Sequence, residues 1–234
     1  MSYLVISTSL NPDSKSFVLA REAYTRLSQL GDGPVELIDL RKVRLPHCDG
    51  DKSFSHRNVK KLAAKIAAAK CIILAVPIYN YDVGSVVKNL IELTNDAWQE
   101  KTVGFVSAAG GKSGNLATMG IASSLMLDFR CLIIPRFCSA DRYSFDANSV
   151  LIDPRIDNRL NDLVDMAKQL KGVAISGKLS PRAAAMAAMQ AAAEKAAAEK
   201  AAASPVSSEA APSADASAVA PASVDVAQTP ASKS

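Results

Sequence analysis

Five short apolar runs, separated by longer amphipathic stretches, recur through the first 170 residues. The runs are residues 3–8 (YLVIST), 35–39 (VELID), 71–76 (CIILAV), 101–107 (KTVGFVS) and 131–135 (CLIIP). A strand that alternates apolar and polar residues has one wet face, whereas an unbroken apolar run is buried on both. Between the runs, residues 14–30, 59–70, 84–99, 115–128 and 153–170 carry apolar side chains at helical spacing. In residues 84–99 these are Val86, Val87, Leu90, Ile91 and Leu93; in 153–170 they are Ile156, Leu160, Leu163 and Met166. Strict strand–helix alternation predicts an α/β fold, a doubly wound five-stranded parallel sheet with helices on both faces. Ligands of such sheets bind beyond the carboxyl ends of the strands, so function is expected in the loops that follow them.

The pattern stops near residue 175, and composition shows why. The chain is 49% hydrophobic but only 5% aromatic, because alanine, which buries little surface, supplies much of the apolar total after Pro181. Residues 1–175 are expected to form one domain. Residues 182–203, with AAAEKAAAEKAAA, read as an Ala-rich helical segment. Residues 204–234, rich in Pro, Ala and Ser, read as a disordered tail. The tail is either a tether for a partner or a tolerated terminal extension.

No apolar run approaches the roughly 20 residues that cross a bilayer, and the start, MSYLVIST, lacks a basic flank and cleavage site. A cytoplasmic protein with no membrane partner is expected. The formal charge is +4, and residues 182–234 hold four basic and five acidic residues, which leaves the domain at +5. That charge is spread out without a Lys/Arg run, and no nucleic-acid partner is expected. Cys48, Cys71, Cys131 and Cys138 form no CxxC motif, and with only His47 and His56 beside them no metal cluster is expected. Cys71 and Cys131 open apolar runs and read as buried, reduced thiols.

Three loops carry chemistry. The first, residues 7–16 (STSLNPDSKS), runs into a helix N-terminus, where free N–H groups and the helix dipole favour an anion. A structural cap needs one polar residue, and this loop offers five: Ser9, Asn11, Ser14, Lys15 and Ser16. That excess points to phosphate. The loop has no GxGxxG, which argues against a dinucleotide on this turn. The second loop, residues 77–85 (PIYNYDVGS), holds Pro77, Ile78, Tyr79 and Asn80 in an extended turn against which a flat heteroaromatic ring can rest. The third, residues 107–114 (SAAGGKSG), imitates the end of a Walker A loop. Val106 stands where that motif requires glycine, so its glycines are read instead as letting the backbone approach a planar ligand.

Together the loops resemble those of the NADPH-dependent FMN reductase family, flavodoxin-like flavoproteins, over residues 3–172. The first loop is similar to the family's Gly/Ser-Ser-x-(Arg/Asn)-x-x-Ser-x-Ser pattern at Ser9, Asn11, Ser14 and Ser16. The second matches Pro-x-Tyr-Asn and Leu-Lys-Asn-x-Ile-(Asp/Glu) at Pro77, Tyr79, Asn80, Lys88, Asn89, Ile91 and Glu92. The third resembles Ser-x-Gly-Gly at Ser107, Gly110 and Gly111, with one more residue between serine and glycines. Residues 40–50 (LRKVRLPHCDG) resemble the family's segment after the second strand. Four positions depart: Asn11 stands where many members carry arginine, Gly84-Ser85 replaces a Pro-Gly step, and Val87 replaces leucine.

The resemblance implies a flavodoxin-like fold and an NAD(P)H-dependent FMN reductase. FMN would have its phosphate held by Ser9, Asn11, Ser14, Lys15 and Ser16. Its ring would be lined by Pro77, Ile78, Tyr79, Asn80, Ser107, Gly110 and Gly111. Hydride would pass from NADPH to flavin N5, then two electrons to a small acceptor such as a flavin, quinone, azo compound or metal oxyanion. No side-chain acid or base is needed, so no catalytic residue is assigned. The resemblance also implies a homodimer or homotetramer. Trp98, near the end of the third helix, reads as core or as part of an interface between copies. Two other classes stay open: a flavodoxin-type electron carrier, against which the basic domain argues because such carriers are acidic, and a flavin-binding scaffold or sensor.

Overall fold

A computed structural model describes residues 2–111, Gly114 and 116–173. The expected segments 182–203 and 204–234 lie outside the described residues. Strands are β1 Tyr3–Ser7, β2 Val35–Asp39, β3 Cys71–Tyr79, β4 Asp82–Val83, β5 Thr102–Ala109, β6 Leu132–Ile133 and β7 Cys138–Ala140. Helices are α1 Lys15–Gln29, α2 Arg57–Ala68, α3 Ser85–Thr94, α4 Met119–Phe129 and α5 Pro154–Leu170. The sheet runs β2-β1-β3-β5-β6, all parallel, with β7 continuing beside β5 and the short β4 antiparallel to β3. This is the flavodoxin-like order, wound to both sides from the centre.

Alternate residues of each strand supply the two faces. Leu4, Ile6, Ile72, Leu74, Val103 and Phe105 pack with α2, α3 and α4. Tyr3, Val5, Cys71, Ile73, Ala75 and Val106 pack with α1 and α5. Residues 71–76 are all fully buried, which explains their continuous apolar character. Each large one contributes about 1.5–3 kcal/mol on burial. A Cβ at Gly104 would lie 2.9 Å from Ile73 Cδ1 and 3.0 Å from Leu163 Cδ1, so both methyl ends would have to shift to admit one.

Four of the differences from the expected boundaries have a local reason. β3 continues through Pro77 to Tyr79. The Ala75 carbonyl accepts from Thr8 N–H at 3.0 Å, so Pro77, two residues on, faces the same side beyond the end of β1. A missing N–H costs nothing there. The strand expected over 131–135 is shortened to β6, and pairing with β5 resumes in β7 beyond Pro135, which interrupts the ladder. The helix expected over 84–99 ends at Thr94 and gives way to a 3-10 turn, Asn95–Trp98. Asn95 takes φ +34°, while Thr94 Oγ1 donates to the Leu90 carbonyl and accepts from Trp98 Nε1 at 2.8 Å. Trp98 is fully buried, so it belongs to the core rather than to an interface. The helix expected over 115–128 begins at Met119, and Asn115 lies outside the described residues.

All four cysteines are free thiols. Burial pushes Cys71 up to about 12 and Cys131 up to about 11. At the opposite end of the sheet from the functional loops, the Lys171 ammonium bonds Asp32 Oδ2 at 2.6 Å and Tyr3 donates to the same oxygen at 2.7 Å. These bonds hold the Asp32 carboxyl below its ordinary range and tie the end of α5 to the turn before β2.

Candidate functional site

Parallel pairing of β1, β3 and β5 brings the loops after all three strands to one edge of the sheet. The first loop ends in α1, with Ser14 as N-cap accepting from Phe17 N–H at 3.0 Å. The Ser14 and Ser16 hydroxyls lie 2.9 Å apart and both residues are buried. Ser9 is also buried, and its Oγ accepts from Asn11 N–H at 3.3 Å. First-turn amides at Lys15 and Ser16 have no intrahelical partners by helix geometry. Hydroxyls and N–H groups therefore converge at the positive end of the α1 dipole. Ser7 Oγ, at the last position of β1, is buried without a hydrogen-bond partner.

Two of the expected phosphate ligands behave differently from the serines. Asn11 is exposed, and its Oδ1 accepts from Asp13 N–H at 2.9 Å, which shapes the loop. The Lys15 ammonium is engaged with Ser149 Oγ at 2.5 Å and lies 5.5 Å from the Phe145 ring centroid. It thus spans from α1 to the 145–151 loop. Arg41 is a site residue that sequence reasoning missed. Its guanidinium forks onto Asp39, donates to the Pro12 carbonyl at 2.8 Å and stacks 4.1 Å from the Phe17 ring centroid. Burial works to raise the Asp39 carboxyl, but hydrogen bonds from Arg41 outweigh it and hold the group below its ordinary range. The signal was the Asp39-x-Arg41 spacing at a strand end, which alone says nothing about Pro12.

The second loop is a two-residue hairpin between β3 and β4, with Ile78 paired to Val83 and Tyr79 to Asp82. Its central residues, Asn80 and Tyr81, have φ +50° and +64°, as a primed hairpin turn requires. Asparagine tolerates that region, whereas tyrosine is strained there. Gly84 caps α3 and donates to the Pro77 carbonyl at 2.9 Å; a Cβ on it would lie 3.2 Å from Pro77 Cγ. Asn89 is structural: it accepts from Cys48 N–H at 2.8 Å and donates to the Pro46 carbonyl at 2.9 Å, which fixes the segment after β2 to α3. Lys88 pairs with Glu92 at 2.8 Å.

Between the second and third loops lies an open trough of about 260 Å³, lined by Ile78, Asn80, Tyr81, Ala109, Gly110, Gly111 and Gly114. A Cβ at Gly110 or Gly111 would meet nothing within 4 Å, whereas one at Gly114 would press on Ala109 Cβ at 2.8 Å. Tyr79 is exposed beside this trough, while Pro77 and Ser107 are buried within their strands beneath its rim. Lys112 and Ser113, the Walker-like residues, lie outside the described residues. Among the described residues no group of three or more His, Cys, Asp or Glu is placed to hold a metal ion.

Known proteins resemble this chain in sequence and in fold. An NAD(P)H-dependent FAD/FMN reductase of Geobacillus thermodenitrificans (strain NG80-2) is 25% identical over 166 residues, covering 70% of this chain and 89% of that protein. A probable NADPH:quinone oxidoreductase 2 of Oryza sativa subsp. japonica is 29% identical over 127 residues, 51% of this chain and 62% of the relative. The fold is similar to that of an NADH:FMN oxidoreductase solved in its apo form, with a TM-score of 0.62 at 17% identity over 74% of this chain and 91% of that one. Residues 1–143, which hold all three loops, match the family model of NADPH-dependent FMN reductases, and the chain belongs to that family of flavin-dependent oxidoreductases.

Proposed function

We propose that the chain is an NAD(P)H-dependent flavin reductase whose site lies across the ends of β1, β3 and β5 and whose domain spans residues 1–175. One observation carries this reading: a hydroxyl-rich helix N-terminus and an open glycine trough share one sheet edge. The described residues fit FMN. Buried Ser9, Ser14 and Ser16 offer donors for its phosphate, and the bare backbone at Gly110 and Gly111 leaves room for a flat ring. When bound, FMN supplies the redox chemistry, accepting hydride at N5 from NAD(P)H and passing two electrons to an acceptor.

The protein's contribution is placement. Serine hydroxyls and first-turn amides of α1 anchor the phosphate, with Lys15 and Asn11 at the margin. Ile78, Tyr79 and Asn80 flank the ring, while Pro77 and Ser107 fix the strand ends below it. The trough, at about 260 Å³, is below the usual 300–1,000 Å³ of enclosing ligand pockets. Such a shallow trough leaves one ring face for a nicotinamide and then an acceptor. Flavins, quinones, azo compounds and metal oxyanions are the acceptor classes, and the rice relative's printed activity supports quinones. No helix among the described residues is long and apolar enough to cross a membrane, and buried free thiols suit a reducing cytoplasm. Exposed Met119, Met126 and Leu127 on α4 support self-association as a homodimer or homotetramer.

Anaerobic addition of NADPH or NADH to the FMN-loaded protein tests the activity. A reductase bleaches the visible flavin band. A band that persists with both donors would leave an electron carrier or scaffold. For the phosphate site, Lys15→Ala with Ser16→Ala weakens FMN binding in a fluorescence titration, and unchanged affinity removes those residues from the site.

A further inference from the structure

The free edge of the sheet carries a second cavity. It measures about 420 Å³, shares no lining residue with the trough, and lies within the size range of sites that take small organic ligands. β2 ends the sheet on this side, and its successive side chains alternate between faces. The cavity therefore wraps over the strand, from Phe17 of α1 beside Leu37 to Leu62 of α2 beside Ile38. Its floor is apolar, completed by Val43.

The rim is cationic. Lys42, Lys61 and Lys65 all border the cavity, with Glu36 and Asp39 as the acidic groups. Both carboxylates are already engaged: Glu36 pairs with Lys65, and Asp39 holds the Arg41 fork. Among the described residues no ion pair involves Lys42 or Lys61. Two lysines without an ion-pair partner thus border an apolar floor. We propose that this cavity is a binding site for a small amphipathic organic anion, an apolar ring or short chain bearing a carboxylate, sulfonate or phosphate. The apolar body rests on Phe17, Leu37 and Leu62, and the anionic head meets Lys42 and Lys61. Apolar contact supplies most of the affinity and the lysines select for charge.

Calorimetric titration of the FMN-saturated protein with 2-naphthoate tests this directly, since the flavin site is then filled. We expect saturable binding that weakens at least about fivefold, roughly 1 kcal/mol, in Lys42→Ala/Lys61→Ala. It should change less than about twofold in Lys60→Ala/Lys168→Ala, which removes the same charge from exposed positions outside the cavity. The neutral analogue 2-naphthalenemethanol should bind the native protein at least about fivefold more weakly than the acid. Absence of binding, equal affinity in the two double variants, or equal affinity for acid and alcohol each overturns the proposal. FMN content and Tm, measured alongside, show that each variant is folded.

Discussion

The Arg41 guanidinium donates to the Pro12 carbonyl at 2.8 Å, so the loop after β1 is braced from outside by the segment after β2. Arg41 is itself fixed by Asp39 and by the Phe17 face, which leaves it little freedom to follow a moving loop. The brace keeps a guanidinium beside the first loop.

Removing that brace should loosen FMN. For Arg41→Ala we expect a Kd about 3–10-fold higher, in line with losing a charged hydrogen bond, and near-native turnover at saturating FMN. Lysine should restore little, because it lacks the planar fork. Asp39→Asn with Arg41→Ala removes the carboxylate left unpaired. If the double variant binds FMN like the native protein, the weakening came from that carboxylate rather than from the lost brace.

Gly110 tests the trough without disturbing the fold. A side chain there meets nothing within 4 Å, so Gly110→Val should leave stability within about 0.5 kcal/mol, as for an ordinary surface change. FMN affinity should fall more than about tenfold, since the added methyls occupy space assigned to the ring. Native affinity in equilibrium dialysis would move the ring elsewhere.

Tyr81 is held at φ +64° while the residue is 75% exposed. A left-handed backbone costs a non-glycine residue about 1–2 kcal/mol, and the lost ring buries little. Tyr81→Gly is therefore expected to gain about 0.5–1 kcal/mol in urea unfolding, part of the relief being offset by glycine's unfolded-state entropy. Because Tyr81 lines the trough, flavin affinity should drop in the same variant. A loss of stability would show that the hairpin is not strained.

Asp49 accepts from Ser53 Oγ, Ser53 N–H and Asp51 N–H. These bonds, led by the Ser53 hydroxyl, bring its carboxyl down to about 2 from the ordinary 3.8. The folded form therefore binds its proton less readily than the unfolded chain. The stabilisation is complete above about pH 4 and is lost as pH falls toward 2. Asp49→Asn should lower Tm at pH 6, and the gap from the native protein should narrow between pH 4 and 2. A gap constant with pH would separate the effect from ionisation.

Thiol chemistry should report on burial. Cys71 and Cys138 are pushed up to about 12 by burial and Cys131 to about 11, so a thiolate-selective reagent at pH 8 finds almost none of them ionised. Half-exposed Cys48 should react alone, giving one fast thiol per native chain and four after denaturation. Two or more fast thiols would mean that the strand ends open.

Sequence by itself determined the strand–helix alternation, the parallel winding and the position of the loops after β1, β3 and β5, because burial on both faces imposes unbroken apolar runs such as 71–76 and strand ends impose polar loops. It also placed Ser14 in a hydroxyl-rich loop at a helix N-terminus and read Gly110 as bare backbone, since those are properties of neighbouring residues along the chain. Only tertiary structure decided where long side chains went. Lys15 reaches Ser149 and Arg41 reaches Pro12, partners 134 and 29 residues away, which no local pattern encodes. Strand ends were likewise a tertiary matter: Pro77 stays within β3 because β1 has already ended beside it. The cavity at β2 exists for the same reason, since an edge strand is recognised only once the order of the sheet is known.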